Sequence, residues 1–175
     1  MNDLVERMDI HQAQAWLDDH VDLERVGSDV APPPPSLERI RSVVELLGSP
    51  QLEFPSLHVT GTNGKTSTAR MISALLTEMD VSTGSYTSPH LERVNERLAR
   101  DGEPISDFDL ADTLSRVALV EDFVAERPTF FEILTAAALS WFADIAVEAA
   151  VVEVGLGEPG MRPTSSPATW PWSRT

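Results

Sequence analysis

The 175-residue sequence contains no cysteine, so disulfides and thiolate metal sites are excluded. It has no apolar run near the roughly 18 residues that a membrane-spanning helix needs. Its first dozen residues carry acids and no long apolar stretch, so no secretory signal is expected and a cytoplasmic location is. Basic residues are scarce. Thirteen Lys and Arg stand against 28 Asp and Glu, a net charge of −15. That balance leaves no broad basic face for nucleic acid. It also means that an anionic ligand must be captured by a local site, because the overall field repels it. Taken alone, the acidity says only that the chain is soluble. Apolar residues are not scarce: at 42% they suffice for one ordinary domain with a real core. No internal repeat is visible, and nothing in the composition demands an oligomer, so a monomer is expected.

Along the chain, residues 9–21 place Ile10, Ala13, Trp16, Leu17 and Val21 on one helical face. "APPPPS" (Ala31–Ser36) then stops any helix and reads as a stiff connector. Ser36 is placed to cap a second helix with the face Leu37, Ile40, Val43, Val44 and Leu47, ended by Gly48. "SLHVT" (Ser56–Thr60) reads as a strand, and a helix follows from Lys65 with the face Ala69, Ile72, Leu75, Leu76 and Met79. "VSTGSYT" (Val81–Thr87) predicts a second strand, followed by a long irregular polar piece. Ser106 with Asp109, and Thr129 with Glu132, form capping boxes for two more helices, through about Phe123 and Ala143. "VEAAVVEV" (Val147–Val154) is a nearly continuous apolar run, as in a strand buried on both faces. Strands alternating with helices predict an α/β fold with a parallel sheet.

The chemistry concentrates in "HVTGTNGKTST" (His58–Thr68). It has the Gly-Lys-Thr of a phosphate-binding loop, but Val59 stands where the common pattern puts its first glycine. Gly61 and Gly64 let the backbone turn tightly and approach a ligand. N–H groups at the start of the next helix point at phosphates. Lys65 adds a mobile positive charge, and the hydroxyls of Thr66 and Ser67 sit where one can meet Mg²⁺. A capped helix start with a solvated lysine is the plainer alternative. Glu153, at the end of the buried run, is either a strand-end carboxylate meeting solvent or an acid serving a metal–phosphate complex at the ligand-binding sheet edge. Ser88, in "YTSPHL", should reach that same edge. His58 reads as a strand residue. His90 is open to a structural role or substrate contact, and Glu132 is first a capping partner. Arg93, Arg97 and Arg100 recur at helical spacing. They suit an anionic substrate or, more simply, a solvated face paired with Glu92, Glu96 and Asp101.

With these residues in hand, the sequence resembles the Mur ligase superfamily and, within it, the dihydrofolate synthase/folylpolyglutamate synthase family. "GTNGKTST" matches the superfamily's short P-loop, in which the early glycine is missing, and alone leaves a peptidoglycan Mur ligase, or an inactive nucleotide-binding fragment, as alternatives. "SYTSPHLERVNERLARDGEPIS", "TFFEILTAAAL" and "VVEVGLG" resemble the folate branch in order and spacing. The resemblance covers about residues 9–157. It implies N-terminal helices (1–50) before an incomplete parallel-sheet P-loop ATPase domain (51–157). It implies ATP and Mg²⁺ as cofactors, with dihydropteroate or a folate, and L-glutamate, as substrates. By the same resemblance, Gly61, Thr62, Asn63, Gly64, Lys65, Thr66 and Ser67 hold the phosphates. Thr66, Ser88 and Glu153 serve the metal, with Lys65 and Glu153 catalytic. Thr87, Ser88, Pro89, His90 and Leu91 lie on the folate side.

After Gly157 the resemblance stops. The family continues with "DATNV", whereas here a proline-rich tail (158–175) follows, expected to be disordered. Codons permitted for Gly160 to Arg174, read from the last base of the first codon, encode Asp-Ala-Thr-Asn-Val and a plausible further strand. A reading-frame change is therefore the expectation, with a divergent tail as its alternative. Either leaves a parallel sheet with an open edge, so weak stability and no ligase turnover by this chain alone are expected.

Overall fold

Several helices in this chain begin where a side chain satisfies the first free N–H groups. In the computed structural model, which describes residues 7–22 and 37–153, α1 (Ile10–Asp18) opens on a capping box. The Asp9 carboxylate accepts from the Gln12 N–H at 2.8 Å, and the Gln12 side chain accepts from the Asp9 N–H at 2.8 Å. Helix α2 (Leu37–Leu46) runs toward Gly48, whose φ of +86° suits a residue without Cβ. The Pro-rich connector, Ser36, the Gly-Leu-Gly after Val154 and the C-terminal tail lie outside the described residues. Helix α3 (Lys65–Glu78) follows the glycine loop, α4 (Asp107–Glu121) is capped by Ser106, and α5 (Phe130–Asp144) is capped by Thr129 with Glu132 returning the bond.

Five strands form one sheet: β1 (Ser56–Val59), β2 (Thr83–Tyr86), β3 (Leu98–Arg100), β4 (Glu103–Pro104) and β5 (Ala149–Glu153), in the order β1-β5-β2-β3-β4. β5 runs parallel to both neighbours, with Val59 opposite Glu153 and Tyr86 opposite Val152. All five residues of β5 are buried because helices cover both faces. Ala150 and Val152 join the large core with α5, and Val151 packs beneath α3 with Val59 and Ala69. Alternation across the strand thus feeds two cores from one apolar run.

The structure corrects several sequence expectations. The irregular piece after β2 holds a 3₁₀ turn (Val94–Arg97) and the strands β3 and β4, which pair antiparallel, so the sheet is mixed. Arg93, Arg97 and Arg100 therefore share no helix. Arg100 meets Asp101 at 3.4 Å and Arg93 pairs with Asp107, while Arg97 is buried and belongs to no solvated face. On α3 the expected apolar face is only partly covered: Ala69 is buried, but Leu75 and Met79 face outward. Val21 and Leu37 are also exposed.

Two contacts lock the helical layer. Arg39 of α2, buried, donates through Nε to both Glu132 oxygens at 3.2 and 3.1 Å and through Nη1 to Glu126 at 3.2 Å. On the sheet, Gly84 lets β2 and α5 touch: a Cβ there would sit 2.7 Å from the Phe142 ring, which is itself fully buried. Two predictions follow from that packing. Gly84→Ala forces the ring or the strand to move and costs about 1–3 kcal/mol, read as a lower urea midpoint. Arg39→Ala removes the guanidinium donors from the partly buried Glu132 carboxylate, which keeps its Thr129 donors, and costs about 1–3 kcal/mol, with Arg39→Ala/Glu132→Gln recovering part of the loss in a double-mutant cycle.

Candidate functional site

Three parallel strands end at one edge of the sheet, and each carries a piece of the candidate site. After β1 the chain turns through residues 60–64 with Gly61 at φ +153° and Gly64 at φ +74°. Gly64 is the N-cap residue of α3, and no side chain caps that helix start. The first N–H groups of α3 are thus left for an external acceptor. Thr62, Asn63, Gly64 and Ser67 are exposed, and Gly61, Lys65 and Thr66 are partly so. Lys65 is the only lysine in the chain. Its position at the first helical residue adds its charge to the positive end of the helix dipole.

At the end of β5, Glu153 is buried, with 2% exposure. Its carboxylate accepts the Thr66 hydroxyl at 3.1 and 2.9 Å on its two oxygens. It also accepts the Ser88 backbone N–H at 3.3 Å. The solvent-facing alternative for Glu153 is therefore corrected. Thr66, Ser88 and Glu153, taken from three distant parts of the sequence, meet in one place. Ser88 makes this contact with its main chain, and the adjoining Ser88–Pro89 bond is cis.

The loop after β2 is held from behind. The Thr87 N–H donates to the Arg97 carbonyl at 2.9 Å. Arg97, 1% exposed, donates through Nε to His90 Nδ1 at 2.8 Å. Leu91, at 87% exposure, projects outward. The Glu96 carboxylate accepts the N–H groups of Leu91, Glu92 and Arg93 at 2.9, 2.9 and 2.8 Å. Those backbone donors, Leu91's first among them, hold its carboxyl below the usual carboxylate range. Sequence reasoning missed Arg97 and Glu96 as organisers of this loop. The only signal was their place in "NER", just past the proline turn. His58 lies within β1, hydrogen-bonded with the Ser56 hydroxyl at 3.0 Å, as a strand residue.

The oxygen-only character of the Thr66–Glu153 pair suits a hard cation. Among the described residues no group of three or more His, Asp or Glu gathers to hold a metal without further ligands. No described helix is long and apolar enough to cross a membrane.

The model of the Mur ligase middle domain matches residues 59–166, more than half of the chain. This chain belongs to the Mur ligase family. It is 44% identical to the dihydrofolate synthase/folylpolyglutamate synthase of Mycobacterium tuberculosis over 134 residues, 70% of this chain and 28% of that protein. The folylpolyglutamate synthase of M. tuberculosis complexed with ADP superposes with a TM-score of 0.70 at 40% identity, covering 85% of this chain and 32% of that one. A folylpolyglutamate synthase complexed with AMPPCP and folate superposes with a TM-score of 0.75 at 33% identity, covering 86% and 36%. The chain thus spans about a third of the length of the relatives it matches.

The Glu96 clamp makes a prediction of its own. Because its folded-state value is depressed, Glu96 steadies the loop above the ordinary carboxylate range, and that contribution is lost as pH falls below about 4.3. Glu96→Gln should abolish the pH dependence and leave the amides of Leu91, Glu92 and Arg93 with reduced hydrogen-exchange protection at neutral pH.

Proposed function

We propose that the chain supplies the nucleotide-binding part of an ATP-dependent ligase that joins L-glutamate to the carboxylate of a folate or of dihydropteroate. The observation that carries this reading is the junction of Thr66, Ser88 and Glu153 beside an uncapped helix start bearing the chain's only lysine. The relatives' complexes with ADP, and with AMPPCP and folate, support it. So does the Thr87–Leu91 loop, which flanks the same sheet edge.

In this reading the loop from Gly61 to Ser67 wraps the phosphates with backbone N–H groups, and Lys65 adds a point charge. Thr66 and Glu153 offer a hydroxyl and a carboxylate to Mg²⁺. A metal bound there would offset phosphate charge and help align the transferring group. The overall change is balanced. The γ-phosphoryl group passes to a carboxylate oxygen, the glutamate amine displaces phosphate from the acyl phosphate, and ADP, phosphate and a proton are released. The chain's own residues contribute positioning and electrostatics. Turnover is proposed for this region together with the parts of its relatives that it does not span, and nucleotide capture for this chain alone. The substrates are small molecules. A net charge of −15 is poorly suited to nucleic acid.

The single lysine makes the test clean. Besides the N-terminal amine, only Lys65 can react with an amine-directed acylating reagent. Mg²⁺–ATP should slow acylation at Lys65 without slowing it at the N-terminus. Lys65→Met should weaken ATP binding by about tenfold or more, as loss of a charge-assisted phosphate contact does. Glu153→Gln should reduce the gain in affinity that Mg²⁺ brings. Equal acylation of Lys65 with and without ATP would defeat the nucleotide reading.

A further inference from the structure

The outer face of α3 carries more apolar surface than a solvated helix needs. Met71, Leu75 and Met79 are 60%, 65% and 70% exposed. They stand four residues apart, so they form one continuous ridge along the helix. A second exposed row runs beside it: Arg70, Ala74 and Glu78. A basic residue stands at one end of that row and an acid at the other, with only a methyl group between them. Arg70 and Glu78 are roughly 12 Å apart along the axis, at about 1.5 Å per residue, too far to pair with each other. Among the described residues neither meets another ion-pair partner.

The two rows share a centre. Half a turn about an axis through Ala74 and Leu75, normal to the helix, exchanges the position of Arg70 with that of Glu78 and the position of Met71 with that of Met79. Leu75 returns to itself. A face related to its own complement in this way is self-complementary, as an isologous contact requires. We propose that two copies of this chain associate through α3, antiparallel, with each Arg70 against the partner's Glu78 and the two methionine–leucine ridges interdigitated. Ala74, at the centre, is small enough to let the helices approach closely, and the methionines adapt to the gaps that remain. The charges select this occupant. A lipid surface would need basic residues around the ridge, whereas Glu78 and Asp80 close one end of it and the whole chain carries −15. A second copy holds the opposed pair of charges by symmetry alone. A single helix pair is a small contact, so the dimer is weak and reversible. It replaces the monomer that composition suggests. Because each α3 starts at its own glycine loop, the two loops stand at opposite ends of the helix pair, and the contact does not depend on the nucleotide reading.

Sedimentation velocity of the full chain tests this at physiological ionic strength, where charges more than about 8 Å apart are largely screened. Between about 1 μM and about 1 mM the wild type should pass from monomer to dimer. Leu75→Glu should weaken association by at least about tenfold, because it sets two carboxylates against each other at the centre. Arg70→Glu and Glu78→Arg should each weaken it by about tenfold, since each puts like charges in contact twice per dimer. The double variant Arg70→Glu/Glu78→Arg should return to within about threefold of the wild type. An equimolar mixture of the two single variants should form a mixed dimer tighter than either variant forms alone. All three positions are exposed, so the variants keep the fold, which an unchanged melting midpoint verifies. A wild type that stays monomeric across the range overturns the proposal. So does a dimer indifferent to Leu75→Glu, or a double variant no better than the single ones.

Discussion

A buried carboxylate in a chain already rich in negative charge must be matched, and the match at Glu153 organises the functional edge of the molecule. Its two oxygens take the Thr66 hydroxyl from the first turn of α3 and the Ser88 N–H from the loop after β2. Because β5 lies between β1 and β2, the carboxylate stands where both neighbouring strand ends can reach it. The same strand is covered on both faces, so the group that binds the loops together is carried on the most deeply seated element of the sheet. Position in the sheet and chemistry of the site are thus one constraint.

Around that point the structure uses backbone as freely as side chain. Glu96 takes three successive main-chain N–H groups, and Arg97 gives its carbonyl to Thr87. The loop on the far side of the site is therefore shaped by residues that need not touch a ligand. On the near side, the glycine loop is left open, its helix start uncapped by any side chain. One wall is preorganised, and the other presents unsatisfied donors.

Much of this was legible in the sequence where the signal is local. The N-cap at Ser106 and the capping box at Thr129 involve residues three apart, and they start helices where expected, although Asp109 meets the Ser106 hydroxyl and not its backbone N–H. The apolar run before Glu153 announced a strand buried on both sides, and the strand–loop–helix around Lys65 announced its own geometry. What failed depends on distant partners. β3 and β4 are three and two residues long and exist because β2 offers an edge to β3 and β3 in turn offers one to β4. The period on α3 was right, but a period does not say how much of a face is covered, and Leu75 and Met79 are not. Arg97 was unreadable for the opposite reason. Arginine is ordinarily a surface residue, and only the fold brings His90 and Phe130 to it.

The position of β1 carries a further consequence. Among the described strands it pairs on one side only, with β5, and the glycine turn is the direct continuation of its last residue. A strand secured along a single ladder opens at a smaller free-energy cost than one clasped between two. The glycine turn is thus joined to the sheet through the β1–β5 ladder.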